Sequence, residues 1–204
     1  RGRIMKGSII IVSFFVLGAV LGWAGWLPDF LLEADHTRYA LYLLMFLVGA
    51  SIGADNKLRE IFQRLRFDVL LVPLATIVGT LVGSALISAA LADVSLTDCL
   101  AVGSGFGYYS LSSVFITQYK GAEMGTIALT ANIIREILTL LAAPLMVRYF
   151  GRLAPICAGG ATTMDTTLPI ITRYSGKDLV FVAIIHGFVV DFTVPFFVTF
   201  FCTI

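Results

Sequence analysis

The sequence predicts an all-α integral membrane protein: five transmembrane helices plus two oppositely oriented re-entrant (broken-helix) hairpins forming an inverted repeat. Three observations carry this. Of the 204 residues, 58% are hydrophobic and 13% charged, against about 25% charged in soluble domains, and the mean hydropathy is +0.94. Five apolar stretches approach or exceed the ~20 residues needed to span a hydrocarbon core. Two further stretches of similar length are instead rich in Gly, Ser, Thr and Pro.

The first span, Ser8–Leu27, ends at Trp23, Trp26 and Pro28, the composition of an interfacial aromatic belt. Tyr39–Ala54 is shorter but uninterrupted. Asp68–Ala92, Gly125–Val147 and Leu179–Ile204 complete the set. No small-residue cleavage site follows the first apolar run, which argues against a signal peptide. A start at Arg1-Gly2-Arg3 rather than at Met reads as a fragment or a trimmed chain.

Charge then fixes direction, because cytoplasmic loops are enriched in Lys and Arg. Arg1, Arg3 and Lys6 place the N-terminus inside, and Lys57, Arg59, Arg64 and Arg66 place the second loop inside. Asp29, Glu33, Asp35, Asp93 and Asp98 face out. Arg148 and Arg152 are inside again, so the chain is outside both before and after Cys99–Tyr119. That segment is expected to be a hairpin returning to the outer face. By the same logic, Arg173 and Lys177 make Leu153–Tyr174 a hairpin returning to the cytoplasm. Of the 14 basic residues, 11 fall inside; Arg38, Lys120 and Arg135 do not. The C-terminus is expected outside, in a multi-pass membrane protein.

An offset of 55 residues aligns the two hairpin-plus-helix units, pairing Gly105 with Gly160, Thr117 with Thr172, Tyr119 with Tyr174 and Gly121 with Gly176. It also pairs Glu123 with Asp178, Ala128 with Ala183 and Glu136 with Asp191. Each unit crosses once, so consecutive copies have opposite topology. The expected organisation is three helices over 1–98, a first repeat over 99–152 and an inverted second over 153–204. Inverted repeats with interrupted segments point to a secondary transporter whose site lies where the breaks meet.

Candidate site residues follow from this frame. Gly103-Ser-Gly-Phe-Gly-Tyr-Tyr-Ser-Leu-Ser-Ser113 has three alternate glycines, Gly105 and Gly107 among them, with Ser110 among the hydroxyls. Glycines there permit close backbone approach, although small residues also serve plain helix packing. In Gly159-Gly-Ala-Thr-Thr-Met-Asp-Thr-Thr-Leu-Pro169, Asp165 is the one ionisable residue, beside Thr163 and Thr166. A carboxylate at membrane depth costs roughly 2.5–3.5 kcal/mol and persists where it faces a cavity, a cation or a proton path; a hydrogen-bonded tip is the structural alternative. Asn132, Arg135 and Glu136 share a helix face with Thr139. Arg135 and Glu136 are expected to form a mutually neutralised pair, with Glu136 either structural or titrating. His186 and Asp191 sit in apolar sequence about 140° apart around a helix, so different partners are expected. His186 is open to proton relay or to a structural hydrogen bond.

Net charge of +1 excludes a nucleic-acid footprint built on bulk charge. Cys99, Cys157 and Cys202 lack metal or redox spacing, so no cofactor or metal is expected. His186, Ser110 and Asp165 are hydrolase residue types, but no motif orders them into a nucleophile site. A channel remains the rival within membrane proteins.

With these motifs in place the chain resembles the LysO-type lysine exporters of bacterial inner membranes. The resemblance rests on residues 103–112, Asn-Ile-Ile-Arg-Glu (132–136), Gly-Ala-Thr-Thr-Met-Asp-Thr-Thr-Leu-Pro (160–169), Ile-His-Gly-Phe (185–188) and Phe-Leu-Val-Gly (46–49), and covers nearly the whole chain. It implies export of L-lysine and analogues driven by an H⁺ or Na⁺ gradient. It also implies an N-terminal region of about three spans in longer members, so a homo-oligomer or a small N-terminal-type membrane partner is expected. The longer type implies two intramembrane acids. Asp165 matches one; the position of the other is Asn132, a departure that puts a dibasic substrate in doubt unless Glu136 or Asp191 substitutes. The working site lies between Ser110, Asn132 and Asp165.

Overall fold

The computed structural model describes residues 67–91 and 94–204, together with positions 17, 20, 21, 23–25, 39, 43, 46 and 50. The first two predicted spans and the basic second loop otherwise lie outside the described residues. Of two compact units, Arg1–Glu60 and Ile61–Ile204, the second contains every element below. Among the described residues there are helices and no strands.

Among the described residues, three helices are long and apolar enough to cross a membrane. They are α1 (Phe67–Ala90), α4 (Ala122–Phe150) and α7 (Val180–Thr203). Between them lie short pieces: α2 (Leu96–Gly103), α3 (Tyr109–Lys120), α5 (Ala154–Gly159) running into a 3₁₀ turn (Gly160–Met164), and α6 (Leu168–Tyr174). At 29 residues and 1.5 Å per residue, α4 is about 43 Å long, longer than a hydrocarbon core of ~30 Å. The surface inverts the pattern of a soluble protein. Leu71, Leu74, Val78, Val82 and Leu86 form an exposed apolar stripe along α1, whereas Thr76, Ser104, Ser112, Asn132, Thr139, Thr163, Thr167, His186 and Asp191 are buried.

Each pair of short helices doubles back on itself. Ser95 caps α2, its Oγ accepting from the Asp98 amide at 3.1 Å, which is why this segment starts at Leu96 rather than at the expected Cys99. Lys120 Nζ at the end of α3 lies 3.2 Å from Asp98 Oδ1 at the start of α2. Hydrogen bonding from the Ser95 hydroxyl, with Lys120 alongside, holds the Asp98 carboxyl below the usual carboxylate range. In the second pair, Arg152 Nε donates to Ser175 O at 2.6 Å and its Nη2 pairs with Asp178, so the ends before α5 and after α6 are tied together. Since α4 joins Lys120 to Arg152, the two pairs start from its opposite ends. Gly121 and Gly176, partners at the 55-residue offset, both hold positive φ (91° and 104°) where a long helix follows.

The breaks meet. Ala161 N donates to Phe106 O at 2.9 Å, and Phe106, fully buried, takes a positive φ of 45° with its ring edge-on to Phe197 at 6.0 Å. Only glycine fits opposite. At Gly160 (φ 61°) a Cβ would collide with the Phe106 carbonyl oxygen, and at Gly107 (φ 95°) one would stand 2.9 Å from Gly159 O. Below this crossing, Ile156, Ile171 and Ala183 form a fully buried apolar cluster.

Gly160→Ala is therefore expected to cost at least about 1–3 kcal/mol from backbone strain, before the collision is counted. Thermal unfolding in detergent should show a midpoint several degrees lower; an unchanged midpoint would mean that the two breaks are not in close contact.

Candidate functional site

Where the two breaks meet, a cavity of about 200 Å³ opens. One wall comes from Gly107, Tyr108, Tyr109 and Ser110 at the start of α3, a second from Ala161, Thr162, Met164, Asp165 and Thr166. Glu136 of α4 and Asp191 of α7 close it. Exposure falls from Ser110, Asp165 and Thr166 at the rim, through half-buried Glu136, to Asp191, 8% exposed. Six of the residues expected from sequence thus share one space: Gly107, Ser110, Glu136, Asp165, Thr166 and Asp191. Tyr108, Tyr109 and Thr162 join them without having been singled out, although the two tyrosines stand inside the motif that was.

The cavity's electrostatics are one-sided. Among the described residues, three carboxylates line it and no basic side chain does. Asp165 Oδ1 accepts from the Thr166 amide at 2.5 Å. Among the described residues, the carboxylates of Glu136 and Asp191 accept no hydrogen bond. Nor do the three converge as metal ligands would, since no group of three or more His, Cys, Asp or Glu among the described residues could hold a metal ion. A carboxylate without a hydrogen-bond partner is costly to bury, and Asp191 is the most buried of the three.

The remaining predicted residues build the walls. Asn132, 3% exposed, accepts from Gly107 N at 2.7 Å through Oδ1 and donates from Nδ2 to Ala128 O at 2.9 Å and Val102 O at 3.4 Å. Its amide is used up behind the wall rather than facing the cavity. Gly105 packs on it, with room for no Cβ. His186 is fully buried, with Nε2 2.8 Å from Thr76 Oγ1 and Nδ1 3.1 Å from Thr163 Oγ1. The Thr163 hydroxyl also lies 2.8 Å from Gly160 O and 2.9 Å from Ala183 O. Its proton therefore goes to a carbonyl, and it accepts from His186 Nδ1–H, leaving Nε2 to accept from Thr76. A neutral ring satisfies both contacts, which fits the structural alternative for this histidine.

The expected Arg135–Glu136 pair does not form. Arg135 turns away from Glu136 and donates to Ala158 O at 2.7 Å, Cys157 O at 3.0 Å and Thr80 Oγ1 at 3.3 Å. Carbonyls at the end of α5 lack intrahelical donors, so a guanidinium with a planar fork of donors is well matched to them. Adjacent positions on a helix differ by 100°, which sends Arg135 to the α5 break and leaves Glu136 for the cavity.

Apolar helices long enough to span a membrane, around a recessed, acid-lined cavity at two facing backbone breaks, are the features of a membrane protein. The sequence model of one family, described as lysine exporter LysO, matches residues 12–202, and the chain belongs to that family. It is 34% identical over 196 residues to lysine exporter LysO of Escherichia coli K12, covering 95% of this chain and 64% of that protein. A Haemophilus influenzae Rd protein, provisionally named a lysine exporter, is 34% identical over 194 residues, or 94% of this chain and 96% of its own length. The chain thus spans about two thirds of the first relative. No solved structure matches it.

Two predictions follow from these contacts. Arg135→Lys keeps the charge but cannot reach three acceptors at once; each lost charged hydrogen bond is worth about 1.5–3 kcal/mol, so the yield of folded protein and its thermal midpoint should both fall, and wild-type values would show the bracket to be dispensable. Cysteines at Ser110 and Thr166, in a background lacking Cys99, Cys157 and Cys202, should be joined by a short bifunctional thiol reagent. Failure under all conditions would mean that the two walls do not face one cavity.

Proposed function

We propose that this chain exports L-lysine and related cationic amino acids from the cytoplasm by ion-coupled alternating access. The observation that carries this reading is the set of three carboxylates in one cavity, two of them without a hydrogen-bond donor among the described residues. The names of the two relatives support lysine as the substrate. Glu136 and Asp191, in the same cavity as Asp165, support a dibasic substrate despite Asn132.

In this reading the two doubled-back helix pairs are re-entrant hairpins entering the inner membrane from opposite faces, and with five spans they make an inverted repeat. The cavity then lies near the midplane, as in transporters built this way. A lysine ammonium and the coupling ion, H⁺ or Na⁺, compete for the same carboxylates. That competition gives exchange, and one repeat moving against the rest alternates access. A homo-oligomer or a small N-terminal-type partner completes the transporter. A subunit of a split transporter for another small polar or charged solute, or a channel-like pore, is the alternative. A pore would be recognised by conductance far above turnover rates.

Labelled lysine flux in proteoliposomes under an imposed pH or Na⁺ gradient tests the proposal. Wild type should show gradient-dependent flux, Asp165→Asn should lose it, and Glu136→Gln and Asp191→Asn should each lower it by about tenfold or more, the cost of one charged contact. Wild-type flux unaffected by all three substitutions would place the site elsewhere. No flux from wild type, alone or with the small partner, would overturn lysine export.

A further inference from the structure

An acid-lined cavity suits a diamine as well as it suits lysine, so acids alone cannot select an amino acid. Selection needs a donor for the α-carboxylate, and among the described residues no basic side chain lines the cavity. The backbone offers one. At the start of α3, a 12-residue helix, Tyr108 provides no side-chain cap. Gly107 N is taken by Asn132 and Tyr108 N by Gly105 O at 2.6 Å, and the first amide bonded back along the helix is Ser112 N, to Tyr108 O at 3.1 Å. Between them the amides of Tyr109, Ser110 and Leu111 have no acceptor among the described residues, and Tyr109 and Ser110 line the cavity.

The cavity's own carboxylates do not fill this place. Asp165 is turned to the Thr166 amide, and Glu136 and Asp191 bond no amide among the described residues. Asp191 is a separate sign of a ligand: 8% exposed, lining the cavity, and without a donor among the described residues. Free donors on one wall and free acceptors on another call for a ligand that carries both charges. Helix N-termini attract anions through their unsatisfied N–H groups and dipole, and a break in a membrane helix is where that end becomes accessible.

Resting on the exporter reading above, we infer that the first turn of α3 is the α-carboxylate subsite, so that the cavity selects cationic amino acids over diamines. Glu136, Asp165 and Asp191 take the ammonium groups, and the amides of Tyr109 and Ser110 take the carboxylate. Lysine lies across the cavity between the two hairpin tips.

The test is competition against labelled lysine in proteoliposomes holding the full chain, with its partner if one is needed for flux. The competitors are unlabelled lysine, lysinamide and 1,5-diaminopentane, which is lysine without its carboxylate. Lysine should compete about tenfold or more better than either of the others. Proline is tolerated in the first turn of a helix and has no N–H, so Ser110→Pro should collapse that preference. Ser110→Ala keeps the amide and should keep the preference, whatever it does to affinity. Diaminopentane competing as well as lysine at the wild type would overturn the subsite and leave the exporter standing. Ser110→Pro retaining the full preference would also overturn it. No lysine binding or flux at the wild type would remove the exporter reading and the subsite together.

Discussion

Backbone that leaves the helix at membrane depth has no water to turn to, and each unsatisfied polar group there costs several kcal/mol. Several contacts around the two breaks answer the same demand for hydrogen-bond partners. The breaks satisfy one another, Ala161 N donating to Phe106 O. From the side, α4 presents two brackets one helical turn apart. Asn132 holds the first break at Gly107 and Val102, and Arg135 holds the second at Cys157 and Ala158. From the other side, α7 contributes the Ala183 carbonyl and His186 to Thr163. The long helices thus carry polar residues where the breaks need them, and exposed apolar residues such as Leu138 and Leu141 elsewhere.

Once the brackets are set, the polar residues separate into two groups. Asn132, Arg135, Thr163 and His186 have their hydrogen bonds met within the protein, and substituting them leaves a buried partner unpaired, which is the expensive direction. Glu136 and Asp191 have no hydrogen-bond donor among the described residues, and Asp165 meets one amide alone. A protein keeps costly, unsatisfied acids at depth where something else satisfies them part of the time. The cavity is therefore defined as much by the residues that do not face it as by the three that do.

Much of this was legible in the sequence. Gly-, Ser- and Thr-rich composition located both breaks, and the 55-residue offset paired Glu136 with Asp191, but the pairing of Lys120 with Asp98 and of Arg152 with Asp178 was not read from the charges. What could not be read was which neighbour each polar residue meets. Spacing puts Asn132, Arg135 and Glu136 on adjoining positions of one helix, but whether Arg135 turns to Glu136 or to the α5 carbonyls depends on where residues 157 and 158 fold back, a non-local fact. The same holds for His186, whose partners Thr76 and Thr163 are 110 and 23 residues away. Tyr108 and Tyr109 escaped notice because aromatic residues in an apolar chain look like packing until a break exposes them.

Asn132 shows why the departure from the longer family members is more than a lost charge. The resemblance implies an acid at this position in that type. Here Nδ2 faces two carbonyls, Ala128 O and Val102 O, while Oδ1 receives Gly107 N. A carboxylate could still accept from Gly107, but it would set a second oxygen against two carbonyl oxygens and have nothing to donate. Asparagine is the residue that fits both demands, so in this chain the position belongs to the scaffold. The negative charge that a dibasic ligand requires then has to come from elsewhere on the same helices. Glu136, one turn further along α4, and its repeat partner Asp191 on α7 are the acids that the fold delivers to the cavity beside Asp165.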